Sequence, residues 1–120
     1  MTIRGRIVKG KQLGRTIGFP TANILPERAP DISNGVYAAW LSVDGERHPC
    51  MVNIGHHPTL PEGAPTIEAH IFRFDGDIYG RAVELEIAAF LRSEVKFPSV
   101  EALRAQLERD KAASLEILKT

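Results

Sequence analysis

Gly35-Val36-Tyr37-Ala38-Ala39-Trp40-Leu41-Ser42-Val43-Asp44-Gly45 is the stretch on which the fold turns. β-branched and aromatic side chains suit a pleated, half-buried surface, so Gly35 to Val43 predicts a strand. Asp44-Gly45 closes it with two residues that tolerate the positive φ of a tight hairpin. The chain must then double back, and a second strand is expected through Cys50-Met51-Val52-Asn53-Ile54.

Towards the C-terminus, Gly55 to Pro65 holds three prolines and two glycines and reads as a loop that includes His56-His57. Thr66 to Phe74 alternates, with Ile67, Ala69 and Ile71 on one face and Glu68, His70, Phe72 and Phe74 on the other. After the turn Asp75-Gly76-Asp77, Arg81 to Leu91 alternates again: Val83, Leu85, Ile87, Ala89 and Leu91 lie opposite Glu84 and Glu86, which are expected to face solvent. The period then changes. Pro98 ends what precedes it, Ser99 can cap, Glu101 complements the helix dipole, and Val100, Leu103, Leu107, Leu115 and Leu118 form a helical stripe.

Towards the N-terminus, Pro26 to Ser33 is poor in apolar residues and reads as a surface loop, and Thr21 to Leu25 as a short extended piece. Thr2 to Val8 predicts the first strand, with Ile3 and Ile7 opposite Arg4 and Arg6. Between them, Gly10, Gly14 and Gly18 loosen the backbone before Phe19-Pro20 stiffens it ahead of the Thr21 hydroxyl and the Asn23 amide. With Lys11 and Arg15 in the loop, one reading is a phosphate cradle; the other is an ordinary turn that Thr21 and Asn23 merely cap. It is not a Walker loop, because Gln12 stands where a Ser or Thr must supply the metal-facing hydroxyl, and the glycines do not follow the dinucleotide fingerprint.

Five or six short strands with Gly and Pro turns, then one terminal helix, predict a mainly β fold: a small antiparallel barrel with a C-terminal α-helix packed on it. A chain of 120 residues, 43% apolar and 25% charged, supports one domain, and no linker or repeat divides it. Fifteen basic and fifteen acidic residues cancel. Without a global positive field or an aromatic-studded basic face, neither nucleic acid nor an anionic membrane is an expected partner. The single Cys50 cannot close an intramolecular disulfide, and no apolar run of leader or membrane-spanning length is visible, so a cytoplasmic protein is expected. His48, His56, His57 and His70 show no zinc-finger spacing with Cys50.

The run Gly14-Arg15-Thr16-Ile17-Gly18-Phe19-Pro20-Thr21-Ala22-Asn23 resembles the signature of riboflavin kinases, in which the Pro-Thr-Ala-Asn segment holds magnesium and nucleotide phosphates. Later segments agree in order: Asn34-Gly35-Val36-Tyr37-Ala38, Asn53-Ile54-Gly55 with Pro58-Thr59, Ile67-Glu68-Ala69-His70, Asp77-Ile78-Tyr79-Gly80, and Leu91-Arg92 with Lys96-Phe97. The resemblance covers nearly the whole chain and implies a single riboflavin kinase-like domain over residues 1–120, its barrel closed, six-stranded and Greek-key-like. Departures are His56-His57, where relatives often carry Thr-Arg, and Lys11-Gln12, where others have more glycine.

The resemblance implies ATP-dependent phosphorylation of the ribityl 5′-hydroxyl of riboflavin, giving FMN and ADP with magnesium or another divalent metal. Thr21 and Asn23 match the metal positions, and Gly10, Arg15, Thr21, Ile71, Arg73 and Tyr79 fall where relatives line the nucleotide pocket. Glu68 matches the general base; on the residues alone a solvent-facing glutamate of an antiparallel strand is the commoner fate, and the catalytic reading places its carboxylate at a barrel mouth. Arg92 and Phe97 match the loop that closes on the isoalloxazine ring, although Phe97 could also staple the helix entrance. In many bacteria this module is one half of a bifunctional protein whose other half adenylylates FMN to FAD, a reaction not expected of these residues. A monomer, or part of such a larger chain, is expected. The alternative is a non-catalytic module that binds flavin without turnover.

Overall fold

The computed structural model describes residues 1–9, 18–56 and 65–120. Strands β1 (Thr2–Val8), β2 (Ala22–Pro26), β3 (Gly35–Val43), β4 (Glu46–His56), β5 (Pro65–Ile71) and β6 (Ala82–Arg92) precede one helix, α1 (Val100–Leu118). They close into a barrel of order β1-β2-β5-β4-β3-β6, with every pair antiparallel and β6 meeting β1 again. Strands β3, β4 and β5 follow one another as neighbours and β2 lies beside β5, which is a Greek key. Closure leaves no free sheet edge among the described residues.

The hairpin that decides the fold forms as expected. Asp44 and Gly45 both adopt positive φ, 52° and 81°, and β3 pairs with β4 from Val43↔Glu46 to Gly35↔Ile54. β4 is longer than its apolar run suggested, reaching back through Pro49 to Glu46 and forward to Gly55 and His56. The interior is filled by alternate residues of all strands, including Ile3, Ile24, Leu41, Val52, Ile67 and Leu85. Glu84 and Glu86 point to solvent, where they meet Arg4 at 2.9 Å and Arg47 at 3.0 Å.

Two expectations of strict alternation fail. β5 ends at Ile71, and Arg73 takes a left-handed φ of 53°. Phe72 therefore stays on the outer face with Phe19 and Met51, while Phe74, expected beside it, turns to pack against the barrel interior. In β6, the register against β3 slips once between Ala38 and Ala39 and again between Val36 and Tyr37. Each slip flips the following side chains to the other face. Ala89, expected beside Val83, pairs with Ala38 on the outside; Phe90 pairs with Tyr37 and meets its ring edge-on at 5.3 Å. The second slip restores the parity, so Arg92 emerges on the outer face beside Val36.

α1 lies across the outer face of β3, β4 and β6. The Ser99 hydroxyl caps it, accepting from the Ala102 amide at 3.1 Å, and Lys119 ends it in the left-handed region. The buried contact of the helix runs along Leu107, Asp110, Ser114, Leu115 and Leu118; Val100, expected in the stripe, is 54% exposed.

Candidate active site

Register, not sequence proximity, assembles the site. One cross-strand row runs round the barrel: Val8 opposite Asn23, Asn23 opposite Glu68, Glu68 opposite Asn53, Asn53 opposite Val36, and Val36 opposite Arg92. Directly opposed residues share a face, with Cβ atoms about 5 Å apart. Ile67, Ala69 and Ile71 fill the barrel, so Glu68 and His70 project outwards beneath the helix side. The Glu68 carboxylate thus stands on the outer wall rather than in a barrel mouth. Amides flank it on both sides: Asn23 on β2 and Asn53 on β4.

Two cavities meet along this row. The first, of about 280 Å³, lies between the barrel wall and α1; it holds Asn53, Glu68 and His70 on the wall and Leu103 and Leu107 on the helix, with Arg92 and Phe97 at the connecting loop. Its volume is near the lower bound for small-molecule sites, about 300 Å³. The second, of about 730 Å³, lies between the Pro20–Asn23 segment and the turn Phe74–Tyr79, with Lys9 at its rim. Thr21 lines both. Asn23 belongs to the second cavity and Glu68 to the first, so adjacent members of one row face different compartments.

The segment that divides the cavities is held at two points. The ring of Phe19 is buried with Met51 and Phe72 under Leu107 and Leu115. The carbonyl of Pro20 lies 2.7 Å from His70 Nδ1, and the imidazole sits between Phe19 and Phe72 at centroid distances of 5.2 and 5.6 Å. Burial pushes the His70 pKa below its ordinary value, with Lys111 adding to the effect and the Pro20 hydrogen bond opposing it.

The far wall of the first cavity is tied to the helix. The Arg92 guanidinium grips Asp110 through Nε, at 3.0 and 3.1 Å, and Nη2, at 2.8 Å; Gln106 donates to the same carboxylate at 2.9 Å. Both ion-pair partners are largely buried, with side chains 19% and 4% exposed. Arg92 also lies 5.6 Å from the centre of the Phe97 ring. From the same loop, Glu94 leans across β4 at Gly55, where a Cβ would meet its carboxylate oxygens at 2.8 and 3.2 Å.

The family model described as flavokinase, riboflavin kinase, matches residues 1–118. The chain belongs to the riboflavin kinase family. A bifunctional riboflavin kinase/FMN adenylyltransferase of Haemophilus influenzae is 43% identical over 109 residues, covering 90% of this chain and 35% of the relative. Among solved structures, a riboflavin kinase from Trypanosoma brucei superposes with a TM-score of 0.69 at 27% identity, over 99% of this chain and 80% of that one. A protein described as a macrolide-efflux protein from Streptococcus pneumoniae superposes with a TM-score of 0.88 at 32% identity, over 94% of this chain and 38% of that one. The chain thus spans about a third of the length of the bifunctional relative. Among the described residues, no helix is long and apolar enough to cross a membrane.

Within the chain, the residues expected to act divide by place. Thr21, Asn23 and Glu68 gather at the border of the two cavities, and Arg92 and Phe97 line the first. Tyr79 lines the second, with Lys9 Nζ 5.4 Å from its ring centre. Ile71 is buried in the barrel interior and Arg73 is exposed in its turn, and neither lines either of these two cavities. Gly10 and Arg15 lie outside the described residues, as does His57. The sequence reading gave no role to Asn53, His70 or Asp110. Asn53 and His70 stand out in the sequence only as members of motifs, and Asp110 carries no signal until the helix is docked.

Proposed function

We propose that this chain phosphorylates riboflavin at the ribityl 5′-hydroxyl, with ATP as donor, to give FMN and ADP. The observation that carries the reading is the pair of cavities that share Thr21, with Glu68 on one side of the border and Asn23 on the other. An apolar slot under α1 suits a flat ring system stacked on Phe97. The larger cavity suits a nucleotide, its phosphates directed at Thr21.

In this reading the ribityl hydroxyl passes its proton to the Glu68 carboxylate as its oxygen bonds the γ-phosphorus and the bond to the ADP oxygen breaks. Asn23 and Asn53 flank the base on the two neighbouring strands. The Thr21 hydroxyl and the Asn23 amide oxygen are hard, neutral donors at the phosphate end, which fits magnesium held by few protein ligands and several waters. When bound, the metal neutralises charge on the phosphates. Arg92 frames the flavin slot while its guanidinium stays on Asp110. FMN is the end product proposed for these 120 residues, in the cytoplasm, with no step to FAD.

The test is a product assay with riboflavin, ATP and magnesium, separated by chromatography with flavin fluorescence, beside an EDTA control. FMN that disappears with EDTA is expected. Riboflavin held tightly without FMN would replace this reading with a flavin-binding module.

A further inference from the structure

We propose that His70 is a positioning residue: its Nδ1–H pins the Pro20 carbonyl to β5 and so fixes the Thr21 hydroxyl at the border of the two cavities. This rests on the proposed reading of Thr21 as a metal and phosphate ligand. A carbonyl oxygen has only lone pairs, so a contact of 2.7 Å to Nδ1 requires the proton on that nitrogen. The ring itself has little freedom, held between Phe19 and Phe72 with the cluster under α1 behind them.

The geometry makes the pin necessary. β2 pairs with β5 at only two positions, Ala22↔Ala69 and Asn23↔Glu68, so the ladder ends at Ala22 and leaves Thr21 beyond it. Pro20 has no N–H to extend that ladder. His70 lies two residues beyond Glu68 on the same face of β5, where its side chain reaches the chain just past the end of the ladder. One strand thus presents the base and holds the segment that bears the opposing hydroxyl. A displacement of about 1 Å at such a group can cost on the order of 10²-fold in rate.

Two substitutions separate this role from ring packing. H70F keeps an aromatic ring between Phe19 and Phe72 and removes the donor; H70N places an amide N–H near the position of Nδ1. H70F is expected to raise KM for MgATP about tenfold, the worth of one hydrogen bond, and to lower kcat; KM for riboflavin does not discriminate, because His70 and Thr21 also line the first cavity. H70N should recover most of the loss. Unchanged kinetics in H70F, or an H70N variant no better than H70F, would overturn the pin, because an N–H donor without the ring would not restore lost ring packing.

A second measurement does not depend on turnover. The 15N shifts of the His70 ring in the wild-type protein at neutral pH should report the Nδ1–H tautomer, and a proton on Nε2 alone would exclude the bond. A wild-type chain that makes no FMN but shows this tautomer would reject the kinase reading and keep the hydrogen bond. FMN formation with the Nε2–H tautomer would do the reverse.

Discussion

Glu68 draws its chemical setting from its row rather than from its strand. Along β5 its neighbours Ile67 and Ala69 point into the barrel, and nothing in that local sequence separates it from the solvent-facing Glu84 and Glu86. Across the strands it stands between two amides and beside a cavity. Glu68→Gln keeps the shape and removes the proton acceptor, so FMN formation should fall by roughly 10² to 10⁴ while riboflavin binding, read by flavin fluorescence, holds. Full activity in that variant would displace Glu68 as base. Cys50 is the opposite kind of residue, fully buried in the barrel with its thiol donating to the Ala39 carbonyl at 3.4 Å. Burial raises its pKa from 9.0 to about 12. The folded state therefore keeps this proton after the unfolded chain has lost it; the contribution to stability is whole below pH 9 and fades as pH climbs towards 12. Native protein should resist iodoacetamide at pH 9 and react once unfolded. Cys50→Ala, compared with wild type by urea denaturation, should flatten the alkaline loss.

At the scale of elements, the informative failures are those of period. The strand at Arg81 to Leu91 was legible as a strand, yet which of its side chains face the core was not, because bulges depend on the partner strand and leave no mark in the alternation itself. Two of them cancel, so Arg92 returns to the outer face that strict alternation would give it, whereas Ala89 does not keep its side. The helix was legible from its cap and stripe. What holds it was not: Asp110 is a polar residue on a buried helix face, and its partner is 18 residues away across a loop. Removing one member of a buried pair strands the other, at a cost of about 3–5 kcal/mol. Asp110→Ala should therefore lower the urea midpoint sharply and raise KM for riboflavin more than for MgATP, since Leu103 and Leu107 line only the first cavity. Asp110→Asn, which keeps an acceptor, should cost less. A riboflavin KM unchanged in both variants would detach the helix from the flavin slot.

For the whole molecule, hairpins and periods were enough to name an antiparallel barrel with a helix, because Gly, Pro and Asp-Gly turns mark most of the strand boundaries. The site was legible only as motifs in a line; the ring that sets Asn23, Glu68, Asn53 and Arg92 side by side depends on non-sequential pairing of β2 with β5 and β3 with β6. A consequence for stability follows from the same ring. Trp40 is the single tryptophan and sits on β3, with Arg47 4.2 Å from its ring, so its fluorescence reports the barrel, while ellipticity at 222 nm reports mainly α1. The helix is tied to β6 through Arg92 and Asp110 and to the outer face through Leu107 and Leu115, so the two probes should lose signal in one coincident transition. Riboflavin with MgADP, each at about 100 times its Kd, should raise the stability read by both probes equally, by about 2.7 kcal/mol for each ligand that binds only the folded state. A ligand shift seen by Trp40 but not by the helix would mean that the flavin slot is built from the barrel alone, and the docking of α1 over Asn53 and Glu68 would have to be abandoned.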